Sequence, residues 1–105
     1  MEGESVTRNI AIPQDRLAEF CQKHHIRKLS LFGSVLRDDF TPDSDVDVLV
    51  EFEPGHVPGF ITLSQMQIEL SNILGRQADL RTPAELSRYF RRDVLNSAVT
   101  QYEYR

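Results

Sequence analysis

The sequence predicts a small α/β or α+β domain in which helices cover a small sheet. Three observations carry that expectation. Leu17, Phe20 and Cys21 recur at helical spacing, and so do Leu63, Met66, Leu70, Ile73 and Leu74 further on. Between these stretches, Val46, Val48, Val50 and Phe52 alternate with Asp45, Asp47, Leu49 and Glu51, the period of a strand with two unlike faces. Breakers separate the periodic segments: Gly33-Ser34, Thr41-Pro42-Asp43-Ser44 and Pro54-Gly55-His56-Val57-Pro58-Gly59.

Taken in order, residues 1–12 are polar and lack helical periodicity. They read as a flexible N-terminal arm, with a short edge strand as the other possibility, and residues 13–105 as one domain. A first helix is expected from Pro13, a residue favoured in an opening turn, with Asp15 near the positive end of the helix dipole. A strand is expected over about 27–32, ended by Gly33 and Ser34, and a short helix over 35–40. The valine-rich strand spans 45–52, where β-branched side chains suit a pleated backbone. A second helix over about 61–74 stops at Gly75. Residues 76–81 form a further strand, with Asp79 facing opposite to Ala78 and Leu80. Thr82-Pro83 caps a short helix from Ala84, and 93–99 continues helical before a polar tail.

Composition narrows the function classes. At 105 residues there is room for one core only, and 40% hydrophobic with 27% charged residues is ordinary for a soluble globular chain. No apolar run is long enough to cross a bilayer, and the first residues lack a basic, apolar, small-residue pattern. A single cysteine excludes an internal disulfide framework and fits a reducing, cytoplasmic setting. The net charge of −4 weighs against direct nucleic-acid contact. It does not weigh against ATP, whose magnesium supplies positive charge locally.

The chemistry lies between Phe32 and Phe52. Asp45 and Asp47, two apart on a strand, project from one face, and their repulsion calls for a cation. Magnesium takes oxygen ligands and keeps coordination positions for phosphates, and two such ions can hold both oxygens of an in-line displacement. A D-x-D pair alone is equally at home capping a strand or sitting in solvent. The upstream Gly33-Ser34 changes this: a glycine after an apolar strand lets backbone N–H groups, with the Ser34 hydroxyl, approach a phosphate. Gly-Ser by itself is a common strand-ending turn, and its distance to the aspartates is what lends it weight. Asp79 is the candidate third carboxylate, placed to hold the metal beside the attacking hydroxyl and to accept its proton. A surface aspartate on an edge strand is the alternative. Glu51 shares the aspartate face but lies too far along to be included.

With those residues in view, Leu31-Phe32-Gly33-Ser34-Val35-Leu36-Arg37 followed by Ser44-Asp45-Val46-Asp47-Val48-Leu49-Val50-Glu51-Phe52 resembles the minimal nucleotidyltransferase (MNT) family of the DNA polymerase beta-like superfamily. Gly75-Arg76-Gln77-Ala78-Asp79-Leu80, then Thr82-Pro83, resembles that family's third-carboxylate strand, so the likeness runs over about 26–99. The resemblance implies a mixed β-sheet flanked by helices, with ATP and two magnesium ions held over it. It assigns Gly33 and Ser34 to the triphosphate, and Asp45, Asp47 and Asp79 to the metals. It also implies an antitoxin that silences a HEPN-family RNase toxin by transferring AMP from ATP to a toxin tyrosine. Inhibition by binding alone, or transfer to a small hydroxylated molecule, are the alternatives. Two departures stand out: Asp38 where many relatives carry glycine, and Ala78 where a β-branched residue is usual. Neither removes a ligand. Arg37 is a candidate phosphate contact, or a partner of Asp38 or Asp39.

Other residues carry less. His24-His25 ends the first helix with no carboxylate or cysteine at ligand spacing, so no metal is expected there, and Cys21 reads as core rather than nucleophile. Arg88, Arg91 and Arg92 form a basic stripe, either solvated or facing an acidic partner or the nucleotide. Tyr89, Tyr102 and Tyr104 are candidates for modification or for packing. The loop containing His56 is expected beside the site, where it can close over the nucleotide.

Overall fold

The computed structural model describes residues 4–6, 10–36, 41, 43–86 and 91–104. Its elements are strands β1 (Glu4–Val6) and β2 (Ala11–Pro13), helix α1 (Gln14–Lys23), β3 (Ile26–Phe32), a 3-10 turn at Gly33–Leu36, β4 (Val46–Phe52), α2 (Phe60–Leu74), β5 (Ala78–Arg81), a 3-10 turn at Pro83–Glu85, α3 (Arg91–Ser97) and β6 (Val99–Glu103). Four strands make a sheet in the order β5-β4-β3-β6. β4 runs parallel to β5, while β3 pairs antiparallel with both β4 and β6. The sheet is therefore mixed. β1 and β2 form a separate antiparallel pair.

Alternation decides which face of the sheet packs on the helices, although Leu49 on the Asp47 face is also buried. Val46, Val48 and Val50 join Leu29, Leu31, Ala78 and Leu80 in one cluster with Leu17, Phe20 and Cys21 of α1 and Met66, Leu70 and Ile73 of α2. Leu63 and Leu74 pack against it half-buried, as the helical spacing requires. Each fully buried aliphatic side chain removes enough apolar surface to contribute about 1.5–3 kcal/mol. Burial pushes the Cys21 thiol up to about 12, which makes it an inert core residue. Gly75 closes α2 in the left-handed region, and its N–H donates to the Ser71 carbonyl at 2.9 Å.

At the start of the chain the strand alternative holds, as β1 and β2, while the flexible arm and the polar tail differ from expectation. Ile10 and Ile12 are buried in the main cluster, so the core reaches into the stretch read as an arm. Apolar residues at alternate positions, one within β2, were enough to draw it in. At the other end the expected polar tail is a strand. Val99, Thr100 and Tyr102 supply β-branched and aromatic side chains, β6 pairs with β3, and Tyr102 packs against the core. The helix expected over 35–40 is a 3-10 turn over Gly33–Leu36, and residues 37–40 lie outside the described residues. The capping expected at Thr82-Pro83 is present: the Thr82 side chain accepts from the Glu85 backbone, and the Thr82 N–H donates to Glu85 Oε1 at 2.8 Å.

Candidate active site

Strand register brings the candidate residues together. Phe32 pairs with Asp47 across β3 and β4, so Gly33 sits immediately beside the Asp47 side chain. Gly33 has φ +78°, a left-handed backbone that side-chain-bearing residues rarely adopt. A Cβ built there would also collide with Asp47 Oδ2. The left-handed backbone thus calls for glycine at 33, and a side chain there would push the Asp47 carboxylate aside. On the other side of Asp47, the parallel ladder aligns Asp47 with Asp79. Adjacent strands lie about 4.8 Å apart, so the two carboxylates leave the same face as neighbours. Asp45 stands one residue before β4 begins, exposed, two positions ahead of Asp47.

Gly33, Asp45, Asp47 and Asp79 therefore converge at one end of β3, β4 and β5, on the face opposite the valine core. Arg81 Nη1 lies 2.9 Å from Asp79 Oδ1 and offsets part of the local negative charge. The donor set at this end consists of carboxylate oxygens, which suits a hard divalent cation such as Mg²⁺. Backbone N–H groups at the Gly33–Leu36 turn lie beside it.

The surroundings fix these positions. Ser44 N–H donates to the Thr41 carbonyl and Thr41 N–H donates to Ser44 Oγ, each at 3.0 Å, which sets the entry to β4. Val46 N–H donates to the Gln77 carbonyl at 2.9 Å, tying β4 to the approach to β5. β5 is an edge strand, and two of its backbone donors are taken up by side chains of α2. Ala78 N–H donates to Ser71 Oγ at 2.8 Å and Leu80 N–H to Gln67 Oε1 at 3.0 Å. Ser71 Oγ–H donates in turn to the Gln67 carbonyl at 2.7 Å. Asp79 lies between these two anchored residues. Sequence reasoning missed Gln67 and Ser71. Their signal was polar side chains four apart beside the buried Met66–Leu70 stripe.

Other expectations fare differently. The Ser34 side chain, and Arg37, Asp38, Arg88 and Tyr89 entirely, lie outside the described residues. Glu51 is at the far end of β4, where it accepts from Arg27 Nη2 at 3.0 Å. The loop bearing His56 is not beside the site. It follows Phe52, which pairs with Ile26, so five residues of strand, about 16 Å, separate it from Asp47. Antiparallel pairing returned the chain to the other end, so the loop does not lie beside the aspartates as expected. The same pairing brings His25 together with Glu53 and His56, a carboxylate and an imidazole that local spacing around His24-His25 did not reveal. His24 is otherwise engaged, with Nε2 3.0 Å from Glu69 Oε1. Arg91 Nη2 donates to the Leu86 carbonyl at 3.1 Å, and Arg92 is exposed. Burial raises the Tyr102 phenol, whereas Tyr104 is exposed.

Comparison with known proteins points the same way as the geometry. Residues 15–100 match the nucleotidyltransferase domain family. Protein adenylyltransferase MntA of Thermococcus cleftensis is 31% identical over 81 residues, 77% of this chain and 80% of that one. A presumed protein adenylyltransferase of Methanocaldococcus jannaschii is 34% identical over 77 residues, covering 73% and 81% respectively. Among solved structures, a presumed minimal nucleotidyltransferase superposes with TM-score 0.67 at 29% identity, over 82% of this chain and 86% of that one. Two more distant structures share the fold. One is a toxin–antitoxin complex with AMP-PNP, at TM-score 0.71 and 16% identity, over 90% and 76% of the chains. The other is a tri-AMPylated Shewanella oneidensis HEPN toxin with its MNT antitoxin, at TM-score 0.63 and 16% identity, over 87% and 70%.

Proposed function

Since the chain belongs to the nucleotidyltransferase domain family, with minimal protein adenylyltransferases as its relatives, we infer that it is an antitoxin that transfers AMP from ATP to a tyrosine of a HEPN-family RNase toxin. The observation that carries this reading is the convergence of Gly33, Asp45, Asp47 and Asp79 at one sheet end. The toxin–antitoxin complexes that share the fold support the partner, and the one with AMP-PNP supports ATP.

In this mechanism the Gly33–Ser34 backbone receives the triphosphate, with Arg37 a further phosphate contact. Asp45, Asp47 and Asp79 would hold Mg²⁺, two ions by family likeness, which when bound neutralises charge on the reacting phosphates. Asp79, adjacent to Asp47, accepts the proton of the tyrosine hydroxyl as its oxygen attacks the α-phosphorus. The new P–O bond forms, the α–β anhydride bond breaks, and pyrophosphate leaves on the Gly33 side. Catalysis then rests on positioning and charge neutralisation. No helix among the described residues is long and apolar enough to cross a membrane, and the lone cysteine fits a reducing cytoplasm.

A second reading, inhibition by binding alone, draws on one feature: Val57, Phe60 and Ile61 are more than two-thirds exposed and offer an apolar contact surface. One experiment separates the two. The protein and its toxin partner are incubated with labelled ATP and Mg²⁺, alongside the Asp45→Asn/Asp47→Asn variant. Label on the toxin with wild type, and loss of both label and neutralisation with the variant, is expected. Full protection by the variant without label would establish occlusion. Label on small alcohols in the absence of any toxin would redirect the acceptor.

A further inference from the structure

The end of β3–β4 remote from the aspartates holds a second group of potential ligands. His25 lies between α1 and β3, and Glu53 and His56 lie just beyond β4. Their ligand atoms all fall within 4.8 Å of one another. Backbone bonds hold the three segments together: Glu53 N–H donates to the His25 carbonyl at 2.8 Å, and His56 N–H to the Glu53 carbonyl at 3.0 Å. Gly55, at φ +82°, makes the turn between Glu53 and His56. The imidazoles of His25 and His56 stack with centroids 3.9 Å apart and planes 16° from parallel. His25 Nδ1 lies 3.8 Å from Glu53 Oε1. His25 itself is held at φ +59°, where histidine is uncommon.

We propose that His25, Glu53 and His56 form a metal site for a zinc-class divalent cation, separate from the aspartate site and clamping the β4–α2 loop to the α1–β3 joint. Zinc bonds of about 2.0–2.2 Å in a tetrahedron place ligand atoms ~3.3 Å apart. The observed spread therefore needs a contraction of up to about 1.5 Å. The side chains are free to make it, because those of His25 and Glu53 are 50% and 34% exposed. The two rings now stack face to face, and binding turns them until their in-plane nitrogen lone pairs meet at one ion. The remaining imidazole of the neighbourhood, His24, is turned to Glu69 and does not compete.

The donor set also decides which ion binds where. Imidazole nitrogen favours zinc, nickel and copper, whereas Mg²⁺ prefers oxygen. The two ends of one strand pair thus sort their cations by ligand type. Three protein ligands leave a coordination position for water or for a fourth group. The bound ion would stiffen the loop that presents the exposed Val57, Phe60 and Ile61.

The test is calorimetric titration of the protein with ZnCl₂ in millimolar Mg²⁺, which occupies the oxygen-only site. Wild type and Asp45→Asn/Asp47→Asn are expected to bind one zinc equally well. His56→Ala and His25→Asn should each weaken binding at least about 10-fold, the scale on which even the outer partners of metal ligands act. Asparagine tolerates φ > 0, so His25→Asn retains the backbone while removing the imidazole. Cobalt substitution should give the visible absorption of a four-coordinate ion in wild type and lose it in His56→Ala. Zinc should raise the melting temperature of wild type but not of His56→Ala. Failure of wild type to bind zinc, uptake undiminished in His56→Ala, or loss of uptake in the aspartate variant would each overturn the site. None of these readouts depends on AMP transfer, so the adenylyltransferase reading and this one fail separately.

Discussion

The two edges of the sheet are finished in different ways. At β5, a strand of four residues, α2 supplies acceptors for the backbone donors of Ala78 and Leu80 through Ser71 and Gln67. At β6, five residues pair with β3 through an irregular register between Leu29 and Ser30, and most of the strand's side chains are exposed. The difference follows from what each edge carries. A slip of one residue in β5 would turn Asp79 into the core and bring Ala78 or Leu80 to the site face. Two side-chain anchors flanking Asp79 oppose that slip. β6 brings no candidate residue to the site, and it is held by its ladder and Tyr102.

Asp79→Asn sharpens this contrast most strongly. The variant retains shape and hydrogen-bonding ability but cannot accept the tyrosine proton. A fall in kcat of about 10²–10⁴-fold is expected, the usual contribution of a positioned base, with the melting temperature nearly unchanged. An equal loss of activity and stability would show that Asp79 is structural and that the β5 edge is anchored for folding alone.

Next in size is Gln67→Leu, which preserves volume and removes the acceptor of Leu80 N–H. Leaving that donor unpaired should cost about 1–3 kcal/mol in urea unfolding. Displacement of Asp79 should lower kcat by up to about 100-fold. Gln67→Glu, which retains an acceptor, should recover most of both. Thr100→Ala, at the opposite edge, should stay within about 0.5 kcal/mol of wild type and leave kcat unchanged. If the two edges respond alike, the distinction between them fails.

Legibility in the sequence followed the range of the forces involved. The valine alternation placed Asp47 and the core on opposite faces correctly, because side-chain period is a local property of a strand. Glycine was read at 33 for phosphate access. Its positive φ and its contact with Asp47 emerged only with the pairing of Phe32 to Asp47. Asp79 was assigned beside Asp47, and the parallel register puts it there. The misplaced loop at His56 and the overlooked strand β6 have one cause. Both depend on which strand end meets which, and antiparallel return decides that without leaving a local mark. Gln67 and Ser71 were hidden for a related reason. A polar residue on a helix reveals its partner only once the neighbouring strand is in place.

The smallest effect concerns how α2, the element that anchors β5, is itself held to α1. Lys23 Nζ and His24 Nε2 both reach the Glu69 carboxylate, at 2.5 and 3.0 Å. Partial burial works against ionisation of Glu69, but the hydrogen bonds from Lys23 and His24 prevail, and its carboxyl lies below its ordinary value. A carboxylate whose folded pKa is depressed stabilises the native state above its unfolded pKa and loses that contribution as pH falls through the folded value. Glu69→Gln should therefore be less stable than wild type near pH 7, and the gap should close as pH falls through the depressed folded value. The clasp is partly exposed, so the gap should also shrink in high salt. Hydrogen exchange read at Ala78 and Leu80 makes this a test of the edges. If α2 anchors β5 as described, loosening the clasp should quicken exchange at these two amides and leave β6 unaffected. A uniform change across the sheet would mean that Glu69 supports the domain as a whole, and that β5 owes its order to its ladder with β4 rather than to α2.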